Sequence, residues 1–467
     1  MAGRIARFFG TQDMTQGKPM QGLIQFSVPL LIGNLAQQLY NTVDSIVVGK
    51  YVGDNALAAV GASGPVLNLL LVLFMGIATG ATIMVSQYFG ARQQELLSTT
   101  VGNTITLTVL SSIVIMIVGP LVTQPLMSLI NTPTEIYQDS CNYLIIIFLG
   151  IIGTAGYNIL AGVLRGLGDS FMPLVYLIIA CLLNIVLDLL FVVSFGWGVA
   201  GVAVATSISQ VVSAVFCLIR LLHMKEIVVV PASSLRLKKD LVIRLTRLGV
   251  PSGVAQALFS LAAIVVQSLT NTFDTSVITA SIIVMRVDGF AMMPNFTFGT
   301  AMTTYSGQNI GANKLDRVHE GTKAGMILGL IVSSVLTVLI LIFGPILMGW
   351  FTNTQEIVDL GFHMMSILAV GYIAMSVTQG LSGVMRGAGD TMTPMWISFI
   401  TTVVIRVPIA YGIAYLTRSP EQPAGNPDCL YISLLISWVL GACITYICYR
   451  RGKWRNKALT KIEIETA

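Results

Sequence analysis

Apolar residues gather along the chain into twelve stretches, at 23–48, 57–86, 98–127, 139–163, 172–195, 199–222, 245–270, 277–304, 323–350, 359–384, 394–416 and 430–449. Each is long enough to cross a bilayer core, which takes about 20 helical residues. In hydrocarbon each backbone polar group needs a partner within its own segment, so apolar runs of this length predict helices. The pattern therefore predicts an all-α integral membrane protein. An even number of spans puts both chain ends on one side.

The polar exceptions carry more information than the apolar background. Ionisable side chains interrupt the predicted spans at Asp44 in span 1, Asp188 in span 5, Arg286 and Asp288 in span 8, and Arg406 in span 11. A charge at the centre of a bilayer costs roughly 2.5–3.5 kcal/mol on insertion scales and persists mainly where it faces a protein interior or a water-filled path. Span 5 also carries Asn184, which shares a helix face with Asp188 at i and i+4.

Composition agrees with a membrane protein: of the 467 residues, 55% are hydrophobic and 10% charged, against about 25% charged in soluble domains. The net charge of +5 reflects topology. With the amino terminus inside, 22 of the 26 Lys and Arg fall in inner segments, from Arg4 and Arg7 to Lys461. Only Lys50 and Arg418 lie in outer loops. By the positive-inside rule both termini are expected in the cytoplasm, with the chain in the plasma membrane. No basic-aromatic block suggests nucleic acid, and no apolar leader ahead of a small-residue cleavage site suggests a signal peptide.

The chain also repeats itself. Leu164-Arg-Gly-x-Gly-Asp169-x-x-x-Pro173 recurs as Met385-Arg-Gly-x-Gly-Asp390-x-x-x-Pro394, and Gln87-x-x-Gly90-Ala91 as Gln308-x-x-Gly311-Ala312. Both pairs are offset by 221 residues. Pro29 near the start of span 1 has a counterpart in Pro251 of span 7. Six spans are followed by six more of the same plan and orientation, which predicts two pseudo-symmetric lobes related by an axis along the membrane normal. The expected division is an N-lobe over 1–222, a basic linker over 223–244 and a C-lobe over 245–467 with a basic tail.

Twelve spans in duplicated lobes, Arg-Gly-x-Gly-Asp loops after spans 4 and 10, and proline in spans 1 and 7 together resemble the multidrug and toxic compound extrusion (MATE) family, over about residues 20–450. The resemblance implies a secondary-active exporter of amphipathic, often cationic, organic compounds, working by alternating access.

Depth organises the polar residues further. At a rise of about 1.5 Å per residue, Asp44 lies roughly 8 Å below the outer end of its span, and Asp188 and Thr206 each roughly 10 Å. Asp44, Asn184, Asp188 and Thr206 thus fall in one layer of the outer half. Two carboxylates, an amide oxygen and a hydroxyl suit Na⁺, a hard cation, and suit H⁺ equally well. The resemblance implies the same four positions, since the DinF-like branch of the family places its cation site on a span 1 Asp, a span 5 Asn-x-x-x-Asp and a span 6 Thr. The competing reading is a buried hydrogen-bonded cluster that only fixes helix packing. The C-lobe does not repeat the set: the counterparts of Asn184 and Asp188 are Ile405 and Ile409, and that of Asp44 is Val266. The NorM-like branch carries acids in spans 7 and 10, and this chain lacks them there apart from Asp359 near an outer end.

Gln37, Tyr40 and Asn41 lie near the Asp44 face and are expected to line a substrate cavity, with Met285, Arg286 and Met292 on a C-lobe wall. Pro29 removes a backbone hydrogen bond from span 1 and is a candidate hinge, with a static kink as the alternative. The Arg-Gly-x-Gly-Asp loops lack the Lys-Ser/Thr of a phosphate loop, so Gly should form the turn and Asp should cap the next helix. There is no Walker motif, and no Ser/His/Asp or Cys/His set falls in one layer. Neither an enzyme nor a cofactor is expected, beyond a coupling ion, H⁺ or Na⁺. The expected partners are a small, amphipathic, cationic substrate and membrane lipid, and the chain is read as a monomer. A lipid-linked saccharide flippase of the wider superfamily and a channel are the alternative functions.

Overall fold

The structure is a computed structural model that describes residues 10–420 and 422–459. Arg4, Arg7 and Lys461 lie outside the described residues. Among those described, every regular element is helical. The helices are α1 (Pro19–Val47), α2 (Asp54–Gly90), α3 (Gln94–Leu129), α4 (Thr134–Leu149), α5 (Ile151–Gly166), α6 (Phe171–Asp188), α7 (Gly198–His223), α8 (Lys239–Thr270), α9 (Thr275–Gly311), α10 (Leu315–Gly349), α11 (Gln355–Ala369), α12 (Gly371–Gly387), α13 (Met392–Phe399), α14 (Val407–Leu416) and α15 (Cys429–Arg450). Short π-helical segments follow α1 (Val48–Val52) and α6 (Leu189–Ser194) and join α13 to α14 (Ile400–Arg406).

Nine of these helices or helix runs are long and apolar enough to cross a membrane, or up to eleven if each of two bent pairs counts as one span. The bent pairs are spans 4 and 10 of the sequence, where α4 meets α5 at 52° and α11 meets α12 at 43°. Hydropathy is blind to both breaks because the residues on either side are equally apolar. Helix α1, the first of the twelve apolar stretches, is not among the eleven. Asn34, Gln37, Gln38, Asn41 and Asp44 dilute its hydropathy, and their spacing of three and four places Asn34, Gln37, Asn41 and Asp44 along one face. Helices α2 and α9, with 37 residues each, run past their predicted ends. At about 1.5 Å per residue they exceed a 30 Å core and continue beyond it.

The chain forms two compact units. Unit 1 is built mainly from Gln25–Gly253; unit 2 combines Met14–Ile24 with the chain from Val254 on. The division falls inside α1 and α8. In unit 1 the stretch before α8 packs on α3: Asn103 donates to Ser234 O at 3.1 Å and Arg236 O at 3.0 Å, and accepts from Lys238 N at 2.7 Å. In unit 2, Met14 N donates to Gln308 Oε1 at 2.9 Å, and the Arg317 guanidinium donates to Met14 O and Gln16 O.

Small residues set the packing in both units, as in membrane interiors where backbones approach closely. A Cβ on Gly162 or Gly166 would meet the carbonyl oxygen of Ala78 or Thr82 at 2.9 Å, so α5 lies directly on α2. Gly383 and Gly387 of α12 lie in the same way on the carbonyls of Gly299 and Thr303 of α9. Every one of these positions is offset by 221, so the sequence repeat is also a packing repeat. Helix hydroxyls turn back on their own backbone: Thr104 donates to Thr100 O at 2.8 Å and Thr108 to Thr104 O at 2.7 Å. Both hydroxyls are thereby satisfied within their own helix.

Candidate functional site

The Arg-Gly-x-Gly-Asp loop starts α6 at a fixed angle. Gly168 takes φ +91°, a left-handed conformation that favours glycine. Asp169 Oδ1 then accepts from Met172 N at 3.1 Å, capping the helix. From that start α6 runs four turns to Asn184 and Asp188, both 0% exposed. Immediately after Asp188 the helix widens into the π segment. Helix α1 does the same four residues after Asp44. Such π-turns recur at functional sites, because they disturb the regular hydrogen-bond ladder next to the side chains that matter.

Within unit 1 the structure brings Asp44, Asn184, Asp188 and Thr206 together. The Asp44 and Asp188 carboxyls lie within hydrogen-bonding reach of each other. Asn184, with its amide oriented to satisfy both ends, donates to Asp188 Oδ2 at 3.0 Å and accepts from Thr206 N at 3.3 Å. In the opposite orientation its oxygen faces Asp188 and its Nδ2 lies 3.5 Å from Thr206 Oγ1. The first arrangement satisfies a bare carboxylate; the second adds an oxygen ligand for a cation or an acceptor for a proton. Tyr40, 7% exposed, neighbours Thr206 and both acids, and Tyr143 of α4, 5% exposed, is an electrostatic neighbour of both carboxyls. Asp44 Oδ1, Asp188 Oδ1 and the Tyr40 hydroxyl are buried and have no hydrogen-bond partner. No basic side chain is among the electrostatic neighbours of either carboxyl. The result is an oxygen-lined pocket with excess negative charge, which needs protons or a cation to be stable in a low dielectric.

Sequence depth does not single out Tyr143, although it lies in the same outer layer. Tyrosine near a span end is common, and only its meeting with the two acids gives it significance. The expected cavity residues are dispersed. Gln37 is half-buried and Asn41 exposed on the Asp44 face of α1. In unit 2, Met285 and Arg286 are exposed, while Met292 is buried in the apolar core. Pro29 is buried within α1, which continues as helix on both sides of it.

Both halves of the chain match the family model MatE, over residues 29–190 and 251–412. Among curated proteins the chain is similar to the probable multidrug resistance protein YoeA of Bacillus subtilis (strain 168), with 30% identity over 461 residues, covering 97% of this chain and 98% of that protein. It is also similar to the probable multidrug resistance protein NorM of Thermotoga maritima, at 24% identity, covering 94% of this chain and 93% of that one. Among solved structures, an outward-facing multidrug resistance MATE family transporter of the MOP superfamily superposes with TM-score 0.86 at 22% identity, over 94% of this chain and 96% of that one. A MOP superfamily transporter from Pyrococcus furiosus Vc1 (DSM3638) superposes equally well, with TM-score 0.86 at 22% identity over 95% and 98% of the two chains. With both repeats matched by one family model and a relative at 30% identity covered almost end to end, the chain belongs to the MatE family.

Proposed function

We propose that the chain is a secondary-active exporter in the plasma membrane, with both termini in the cytoplasm. It expels small, amphipathic, predominantly cationic organic compounds in exchange for H⁺ or Na⁺, and acts as a monomer. The names of its relatives, multidrug resistance and export proteins, support the substrate class. One observation carries the mechanism: two carboxyls, Asp44 and Asp188, meet in a buried oxygen-lined pocket with no basic partner. Asn184 and Thr206 complete the set, in the pattern of the DinF-like branch.

A cation entering from outside neutralises this pocket. A bound ion can shift a two-state protein only by its difference in affinity for the two states. The pocket supplies that difference if Asp44, on α1, separates from Asp188, on α6, when the protein changes state. Loss of either acid then uncouples the ion from the movement. The relatives' names do not favour the flippase or channel readings. Efflux from proteoliposomes under separately imposed Na⁺ and pH gradients tests the proposal. Transport driven by one gradient, and lost with Asp188→Asn in a protein that still inserts, is the expected result. Undiminished gradient-driven transport by that variant overturns it.

A further inference from the structure

Unit 2 contains a second charged cluster, half-buried at Ser281, Asp288 and Arg406, that the proposed exchange does not use. Helix α9 contributes Ser281 and Asp288, two turns apart on one face. Tyr372 comes from the start of α12, just past the bend at Val370, and Tyr431 from the start of α15. Arg406 closes the π segment between α13 and α14. Asp288 has Tyr372 and Arg406 as electrostatic neighbours, and Tyr431 has Ser281, Asp288 and Arg406. Tyr372 interacts with Asp288, and Ser281 with Tyr431. Among the described residues, however, no ion pair joins Asp288 to Arg406, and Asp288 Oδ1 and Arg406 Nε are buried without a hydrogen-bond partner. Arg286, two residues from Asp288, is exposed.

The charge balance differs from that of unit 1. There, two carboxyls face each other with no cation. Here one carboxyl shares its pocket with one guanidinium, and Arg is always charged. The pair is neutral as a whole, although a gap separates its members. A buried carboxylate with no counter-charge would be destabilising by several kcal/mol, so the guanidinium accounts for the persistence of Asp288 inside the span.

We infer that Arg406 is a tethered cation: it does for Asp288 what a mobile cation does for Asp44 and Asp188, so that unit 2 keeps its charge fixed while unit 1 exchanges ions. The inference rests on the cation reading of the unit 1 pocket. It assigns Arg406 a role in ion specificity, since a covalently held cation cannot be exchanged with solution.

Thermal unfolding of the purified full-length protein tests this, titrated with NaCl at constant ionic strength and stepped in pH. The native chain should be stabilised by Na⁺ or by H⁺, and Asp44→Asn/Asp188→Asn should lose that response. Adding Arg406→Gln to this silent background should restore a response to the same cation, and adding Asp288→Asn as well should remove it. A folded Arg406→Gln variant in that background with no cation response overturns the inference. So does loss of the native response on Asp288→Asn alone, which would make Asp288 an exchanging site. If Arg406→Gln prevents insertion, Arg406→Gln/Asp288→Asn decides: recovered insertion supports charge compensation, and failure to recover overturns it. A native chain that responds to neither cation refutes the unit 1 reading instead. The insertion comparison still decides whether Arg406 compensates Asp288.

Discussion

The two halves agree most closely where the chain turns and least where it carries charge. In the first loop Gly168 has φ +91°, Gly168 N donates to Arg165 O at 2.9 Å, and Asp169 N to Leu164 O at 2.8 Å. In the second, Gly389 has φ +91°, Gly389 N donates to Arg386 O at 2.8 Å, and Asp390 N to Met385 O at 2.9 Å. The helices that lead into these loops, α5 and α12, touch α2 and α9 through glycines at matched positions. The interior polar residues do not match at all: Asn184 and Asp188 correspond to Ile405 and Ile409, while Asp288 and Arg406 correspond to Leu67 and Ile185. Backbone geometry at a tight turn or a glycine contact tolerates almost no change. A charge in a span can be lost at a gain in stability, so it persists only where it has a use. A duplicated scaffold can therefore hold its shape while one half becomes the ion-exchanging half.

The largest expected effect breaks that asymmetry directly. If the pocket binds the coupling ion as proposed, Asp188→Asn should lower gradient-driven efflux at least about a hundredfold; one lost charge interaction of a few kcal/mol corresponds to that factor. Val266→Asp should not rescue Asp44→Asn. The new acid would lie in unit 2, where the counterparts of Asn184 and Asp188 are isoleucines. Recovered transport in the double variant would show that the two halves are interchangeable in chemistry as well as in scaffold.

A smaller effect should appear in both halves. Gly166→Ala and Gly387→Ala each drive a methyl group against a backbone carbonyl, of Thr82 or Thr303, and the approach is closer at Gly387, where the Gly307 backbone also crowds it. Overpacking of this kind costs about 1–3 kcal/mol, so both variants should lower the unfolding temperature of purified protein, Gly387→Ala the more. An unchanged unfolding temperature in either variant would mean that the packing repeat is not an energetic repeat.

The helix caps should differ modestly. Asp169 caps α6 and also accepts from Arg220 Nε at 3.0 Å, with the Arg220 Nη2 at 3.0 Å as well. Asp390 caps α13 and, among the described residues, accepts from Thr393 alone, through its backbone N at 3.2 Å and its hydroxyl at 2.8 Å. Loss of a cap costs about 0.5–2 kcal/mol. Asp169→Ala should therefore be more destabilising than Asp390→Ala by the share of the Arg220 pair, about 1 kcal/mol for a half-exposed partner. Equal unfolding temperatures would place the whole value of Asp169 in its cap.

Much of this was legible in the chain itself. Hydropathy outlines the spans, the offset of 221 exposes the duplication, and helical rise puts Asp44, Asn184, Asp188 and Thr206 in one layer before any coordinates are considered. The bends after Leu149 and Ala369 were not legible, because a broken apolar stretch has the same hydropathy as a straight one. The π segments beside Asp44 and Asp188 leave no mark in composition either. Met292 illustrates the limit of side-chain type as a guide: methionine suits both an adaptable wall and a packed core, and here it lies in the core. Arg406 and Asp288 were visible as costly charges, but only the fold shows that they are neighbours that form no ion pair.

The smallest effect concerns Tyr143, which position alone did not single out. It belongs to α4 and has both carboxyls as electrostatic neighbours. A neutral hydroxyl beside an ion-binding carboxylate pair contributes about 0.5–1.5 kcal/mol as a hydrogen bond. Tyr143→Phe keeps the ring that packs against Val202 and Ala203 in the surrounding core and removes only that oxygen. Apparent affinity for the coupling cation should fall by about threefold to tenfold while maximal transport is kept, a range that follows from the same energy. The matching position in unit 2 is Met364, buried in the apolar core, so Met364→Leu serves as the control and should leave cation affinity unchanged. An equal loss in both variants would assign the effect of Tyr143→Phe to packing and return Tyr143 to the scaffold that the two halves share.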